Sequence, residues 1–191
     1  MSQLPPFCSS FFLLFVILLA NLSLISLPTS AVPPPATVSD LIQRTCNSTT
    51  YFELCVSSLQ SDPESSKAAD VKGLSAIAVG LGISNATSTW AYASRLVSRG
   101  KVDAALGSKL RGCAGRYADA REALRSAMVA LSVEDYDSAC VHVSAAAGYA
   151  DMCRSLFRLG PAAAYPAEMA RREEALERLC TIALDIISLL G

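Results

Sequence analysis

From Leu74 to Leu190 the apolar residues recur at steps of three, four or seven, and little of the chain alternates with period two. Leu106, Leu110, Cys113, Tyr117, Leu124, Met128 and Leu131 form one such series. Tyr136, Cys140, Val143, Ala147 and Ala150 form a second. Met169, Leu176, Ala183 and Leu190 recur every seventh residue, with Leu179, Cys180, Ile186 and Ile187 between them. Leu74, Ile77, Ala78 and Leu81 open an earlier series, which runs less cleanly through Trp90 to Leu96 and Val97. Such spacing puts the apolar groups on one side of a helix. The seven-residue component is the spacing of helices that pack side by side. Four seams therefore predict four long helices.

The breaks between the seams agree. No proline occurs between Pro63 and Pro161, so nothing bars a helix over that stretch. Asp62-Pro63 predicts a helix start, with proline in the first turn. Gly100 predicts an end, and Val102-Asp103 the next start. The segment SVEDYD, Ser132 to Asp137, predicts a turn with Asp135 as the following N-cap. Gly160, Pro161 and Pro166 separate the third helix from the fourth. Gly80 and Gly82 fall inside the first long helix, where each costs about 1 kcal/mol relative to alanine, and they predict a bend or close packing. Asn-Gly and Asp-Gly hairpin signals are absent. The expected fold is all-α: an up-down-up-down four-helix bundle over residues 61–191, with an N-terminal helical hairpin over 38–60 in front of it.

The N-terminus sets the compartment. Phe11 to Leu27 is almost wholly apolar and uncharged, and small residues follow at Thr29 and Ala31. This is the pattern of a secretory signal peptide, here residues 1–31, cleaved after Ala31. The rival, a membrane anchor, needs about 20 apolar residues, and Asn21, Ser23 and Ser26 interrupt the run. Pro33-Pro34-Pro35 makes residues 32–37 a Pro-rich linker. The formal net charge is −1, with no basic stripe beyond Arg171-Arg172, which argues against nucleic acid or an anionic membrane as partner.

Secretion changes the meaning of the cysteines. Cys8 leaves with the signal; Cys46, Cys55, Cys113, Cys140, Cys153 and Cys180 remain, an even number in an oxidising compartment. Cys46 and Cys55 bracket a segment short enough to be a local staple. In an antiparallel helix hairpin, residues equidistant from the turn lie level. Cys113 and Cys153 are equidistant from Val133, and Cys140 and Cys180 from Gly160, both inside predicted turns. Cys113–Cys153 is therefore an expected bond and Cys140–Cys180 a candidate third, the alternative for that pair being free core thiols.

Catalytic chemistry is hard to assemble from what is left. His142 is the one histidine and there is no C-x-x-C pair, so neither a zinc set nor a nucleophile–histidine arrangement is expected. Gly80-Leu81-Gly82 has no preceding strand and no following lysine, and so is not a phosphate loop. Glu173-Glu174 and the pair Asp135 and Asp137 read as solvated surface. No catalytic residue, cofactor or metal is expected. A lipid carrier is a further class for a small secreted helical protein, but seams filled by Leu, Ala and Tyr favour a packed core over a cavity. Asn47 and Asn85 begin N-x-[ST] triplets and are glycosylation candidates.

Several of these residues together resemble one family. The segment Cys46–Cys55 matches C-x-x-T-x-Y-x-x-x-C through Cys46, Thr49, Tyr51 and Cys55. Cys113 is followed by Tyr117 and the run YADAREAL, and Asp135 to Cys153 reads DYDSACVHVSAAAGYADMC. In order and spacing these resemble the plant invertase/pectin methylesterase inhibitors over residues 38 to 190. The resemblance implies a four-helix bundle with a helical hairpin, and disulfides Cys46–Cys55 and Cys113–Cys153. It implies that Cys180 is the family's often unpaired cysteine, while Cys140 departs from the pattern. It implies a secreted protein inhibitor that forms a one-to-one complex and occludes a substrate cleft without covalent chemistry. The implied target is pectin methylesterase in the apoplast or cell wall, or else acid invertase, with the vacuole then a second location. Invertase inhibitors of the family often carry Pro-Lys-Phe in this turn, where the chain reads Tyr136, Asp137, Ser138; the acidic form, Asp135, Tyr136 and Asp137, is closer to the pectin methylesterase inhibitors. Asp135, Tyr136 and Asp137 are the candidate target contacts.

Overall fold

The computed structural model describes residues 37–191 apart from Lys101, Pro161 and Ala162, and every regular element in them is helical. The predicted signal peptide and nearly all of the linker lie outside the described residues. Helices α1 (Val38–Cys46) and α2 (Phe52–Ser61) form the N-terminal hairpin. Four long helices follow: α3 (Val71–Ser98), α4 (Ala104–Ser132), α5 (Tyr136–Arg158) and α6 (Ala167–Ile187). Helix α4 packs against α3 and α5, and α6 packs against the same two, so the four close into an up-down-up-down bundle.

Acidic and hydroxyl side chains cap the starts of α1, α3, α4 and α5. At α1, the Thr37 hydroxyl accepts from the Asp40 N–H at 3.2 Å while the Asp40 carboxylate accepts from the Thr37 N–H at 2.9 Å, a reciprocal capping box. Asp103 accepts from the Leu106 N–H at 2.7 Å to open α4, and Asp135 from the Ser138 N–H at 3.0 Å to open α5. The start expected at Asp62-Pro63 is different. Those residues open a single 3-10 turn, Pro63–Lys67, and α3 begins only at Val71. Asp70 is the true N-cap, accepting from the Gly73 N–H at 2.8 Å; with the chain at Ala68 extended, the helix cannot run through from Pro63. Gly100 and Gly160 follow α3 and α5 with φ of 64° and 72°, the left-handed region open to glycine at little cost. Of the two glycines inside α3, Gly82 marks close packing: a Cβ there would stand 3.2 Å from Leu124 Cδ1, whereas Gly80 faces open space.

The core is one layer of apolar side chains between the four helices. Leu110, Cys113, Tyr117, Leu124 and Leu131 of α4 are buried, as the pattern predicts, with Ala120 and Ala127 between them. Met169, Leu176, Cys180, Ala183, Ile186 and Ile187 line α6. On α5 the buried series is Ala139, Val143, Ala146, Ala150 and Cys153, whereas Tyr136, Cys140 and Ala147 are only half-buried. The seam is turned by about one residue from the expected one because Ala145, Ala146 and Ala147 give the pattern no phase there. Full burial of a leucine, isoleucine or methionine contributes about 1.5–3 kcal/mol, so these interlocking rows dominate the stability.

Two disulfides staple the fold: Cys46–Cys55 joins α1 to α2, and Cys113–Cys153 joins α4 to α5, with Cα–Cα distances of 5.6 and 4.6 Å. The candidate third bond does not form; Cys140 and Cys180 are free thiols. Cys180 lies on the core side of α6, but Cys140 sits beside the α5 seam rather than on it. Being level across a turn is thus not enough; both cysteines must also face the shared interface.

Candidate functional site

The sequence directs attention to the α4–α5 turn. Helix α4 ends in a Schellman arrangement: the Asp135 N–H donates to the Ala130 carbonyl at 3.0 Å and the Glu134 N–H to the Leu131 carbonyl at 3.2 Å. Glu134 occupies the left-handed position with φ 62°, where glycine is usual. Its carboxylate reaches back to Lys72 at the start of α3, with a separation of 2.8 Å. That hydrogen bond raises the Lys72 ammonium above its ordinary range.

Asp135 is exposed, and part of its carboxylate is committed to the Ser138 cap. The bonds to Ser138 hold its pKa below the usual aspartate value of 3.8. A carboxyl depressed on folding stabilises the fold above its unfolded pKa and ceases to do so only as pH falls through the lower folded value. The cap is therefore intact at mildly acidic pH. Tyr136 is half-buried against the core and beside Gly191. Asp137 is exposed. The turn thus offers Glu134, Asp135 and Asp137 to solvent and keeps the Tyr136 ring for packing. Three exposed valines flank it: Val129 in the last turn of α4, Val133 at its C-cap, and Val141 one turn beyond Asp137 on α5, exposed by 66, 70 and 66%. Exposed apolar side chains beside acidic groups suit a protein contact.

The other candidates separate cleanly. Asn47 is exposed at the C-cap of α1, whereas Asn85 is half-buried in the middle of α3, with its side-chain oxygen 3.4 Å from the Thr89 hydroxyl. His142 is half-buried on α5. Glu174 pairs with Arg178 at the surface, as a solvated side chain should. Glu173 does not fit that expectation: it is 3% exposed, 2.8 Å from Arg154 Nε, and accepts from the Tyr165 hydroxyl at 2.5 Å. Its place in the series Met169, Glu173, Leu176, Cys180 is the signal that foretells burial. The same cluster holds Tyr117, whose phenol pKa is raised by burial first and by the Glu173 charge second. An ion pair that also satisfies a tyrosine is a structural tie between α5, α6 and the segment joining them, with no nucleophile beside it. Among the described residues no group of three His, Cys, Asp or Glu side chains is placed to hold a metal.

What remains is a stapled, packed bundle whose distinctive surface is a rigid acidic turn with an apolar margin: a protein that presents a surface to a partner. Comparison with known proteins narrows this class. A model of the plant invertase/pectin methylesterase inhibitor family matches residues 40–186, and the chain belongs to that family. Pectinesterase inhibitor 28 of Oryza sativa subsp. japonica is 47% identical over 175 residues, covering 85% of this chain and 75% of that protein. Cell wall / vacuolar inhibitor of fructosidase 2 of Arabidopsis thaliana is 43% identical over 147 residues, covering 77% and 81%. The crystal structure of mutant form A of a pectin methylesterase inhibitor from Arabidopsis shares the fold, with a TM-score of 0.63, 24% identity, and coverage of 76% of this chain and 94% of that one. The protein is accordingly a proteinaceous enzyme inhibitor and performs no catalytic step itself.

Proposed function

We propose that this protein is secreted to the cell wall and inhibits pectin methylesterase by laying the α4–α5 end of the bundle over the substrate cleft in a one-to-one, non-covalent complex. The carrying observation is the acidic turn of Glu134, Asp135 and Asp137 with its margin of exposed Val129, Val133 and Val141. A cleft that receives an anionic polymer offers basic and polar groups, which carboxylates at the rim can meet. Such groups govern steering and specificity, while the valines contribute buried area. Two disulfides and capped helices preorganise the turn, so little freedom is lost on docking. The relation to a pectinesterase inhibitor supports this target. The relation to an inhibitor of fructosidase supports acid invertase as the second reading. Exposed Asn47, rather than half-buried Asn85, is the proposed glycan acceptor.

The test is direct. Residues 32–191, produced in an oxidising host, are assayed against a plant pectin methylesterase and an acid invertase side by side. Pectin methylesterase is expected to be inhibited, and the Asp135→Asn, Asp137→Asn double change to weaken inhibition about tenfold and reduce its salt dependence. Full inhibition by the double variant would reduce the turn to a structural element. Inhibition of invertase alone would transfer the target to the second reading.

A further inference from the structure

At the opposite end of the bundle, the start of α4 and the end of α5 enclose a groove of about 500 Å³ lined by Ala105, Ser108, Lys109, Gly112, Leu156 and Leu159. That volume is in the range of small-molecule sites. The walls are apolar except for Ser108 and Lys109. Lys109 is the unexpected member: a lysine only 7% exposed. Its Nζ donates to the Leu156 carbonyl at 2.8 Å and the Leu159 carbonyl at 2.5 Å, and stands 5.6 Å from the centre of the Phe157 ring. These are carbonyls at the end of α5, whose collective dipole amounts to roughly half an elementary charge, so a formal positive charge stays uncompensated. None of the described ion pairs includes Lys109. The residues outside the description contain no Asp or Glu, so none of them supplies a carboxylate side chain. One of the three ammonium hydrogens has no described acceptor.

A buried ammonium without an anion, set in an apolar groove, is a site for a molecule with a negative head and an apolar body. We propose that this groove binds a small amphiphilic carboxylate, its head on Lys109 and its tail along Ala105, Gly112 and Leu156. Gly112 lets Leu156 close against α4 at the groove wall, since a Cβ there would come within 2.6 Å of Leu156 Cδ1. The site is independent of the acidic turn, which lies at the other ends of α4 and α5.

Calorimetric titration of residues 32–191 with octanoate and with octan-1-ol tests the proposal. Octanoate is expected to bind one-to-one and saturably, and octan-1-ol about tenfold or more weakly, the loss typical of a hydrogen bond to a charged group. Lys109→Met keeps the apolar stem and removes the charge, so the two ligands should then bind alike. Ser108→Trp leaves the lysine in place and fills the groove from an exposed position, so it should abolish both; this variant tests the site even if Lys109→Met folds poorly. No saturable octanoate binding, or equal binding of both ligands to the parent protein, overturns the proposal. So does binding that survives Ser108→Trp. If octanoate fails to bind while both variants lose inhibition of the target enzyme, the groove receives a side chain of that enzyme and the small-ligand reading falls.

Discussion

Glu134 holds a conformation that its side chain does not favour. A left-handed φ of 62° costs a residue with a Cβ about 1–2 kcal/mol relative to glycine. The ion pair with Lys72 returns little, because the two side chains are 35 and 65% exposed and solvent screens their attraction. Glu134→Gly is therefore expected to stabilise the protein by about 1 kcal/mol, raising Tm by about 2–4 °C in a thermal melt. A fall in Tm would show that the Lys72 contact outweighs the backbone strain. The free cysteines supply a second test at this scale. Burial, and then the Glu177 charge, pushes the Cys180 thiol up to about 12, so almost no thiolate exists at neutral pH. Cys140 is raised too, by burial first and Asp137 second, but it is only half-buried. Alkylation of the native, unreduced mature protein should label Cys140 slowly and Cys180 hardly at all, and denaturant should make both reactive. Peptide mapping that finds them bonded to each other would contradict the structure.

Helices are where pattern and structure agree most, and the exceptions have physical causes. The α4 and α6 seams were legible because large residues such as Leu110, Tyr117, Leu124 and Leu176 mark the buried side without ambiguity. The α5 seam was not, because three successive alanines are compatible with neighbouring phases; a correct phase would have set Cys140 beside the seam although it lies level with Cys180 across the turn. Caps at Asp103 and Asp135 could be read from residue type, whereas the delayed start of α3 depends on Asp70, which resembles any surface aspartate. Of the site, the acidic turn was visible in sequence. The buried Glu173 carries a signal only in its place in the α6 series, against its charge, and Lys109, one residue off the α4 series, carries none, so that only its packed neighbours reveal its burial. Glu173 ties α6 to α5 through Arg154 and to the intervening segment through Tyr165. Glu173→Ala leaves both partners without their acceptor and should cost about 2–4 kcal/mol in denaturant unfolding; Glu173→Gln, which keeps an acceptor for Tyr165, should cost less. Equal losses would mean that the ion pair, not the hydrogen bond, holds the segment.

Over the whole molecule the two staples act on different cooperative units. The hairpin meets the bundle through buried Ile42 and Leu59 and through polar contacts: the Thr50 N–H donates to Asp185 at 2.7 Å, and the Arg178 guanidinium lies 5.5 Å from the Tyr51 ring centre. Both disulfides are wholly buried, but the Cys113–Cys153 bond ties two of the long helices, α4 and α5, to each other. In the chain-entropy picture, closing the short loop stabilises by about 2–3 kcal/mol and closing the longer one by about 4 kcal/mol. The first should be felt locally and the second globally, because α1 and α2, though they bury Ile42 and Leu59, pack far less extensively on the four long helices than those helices pack on one another. Replacing Cys46 and Cys55 by serine is expected to accelerate hydrogen exchange of the amides of α1 and α2 while α4 and α5 keep their protection. Replacing Cys113 and Cys153 is expected to lower protection throughout the bundle and to lower Tm. Since the acidic turn joins α4 to α5, inhibition should survive the first pair of changes far better than the second. If loss of the hairpin staple reduces inhibition as much as loss of the core staple while α4 and α5 remain protected, the hairpin itself contacts the target, and the contact surface must be extended to include it.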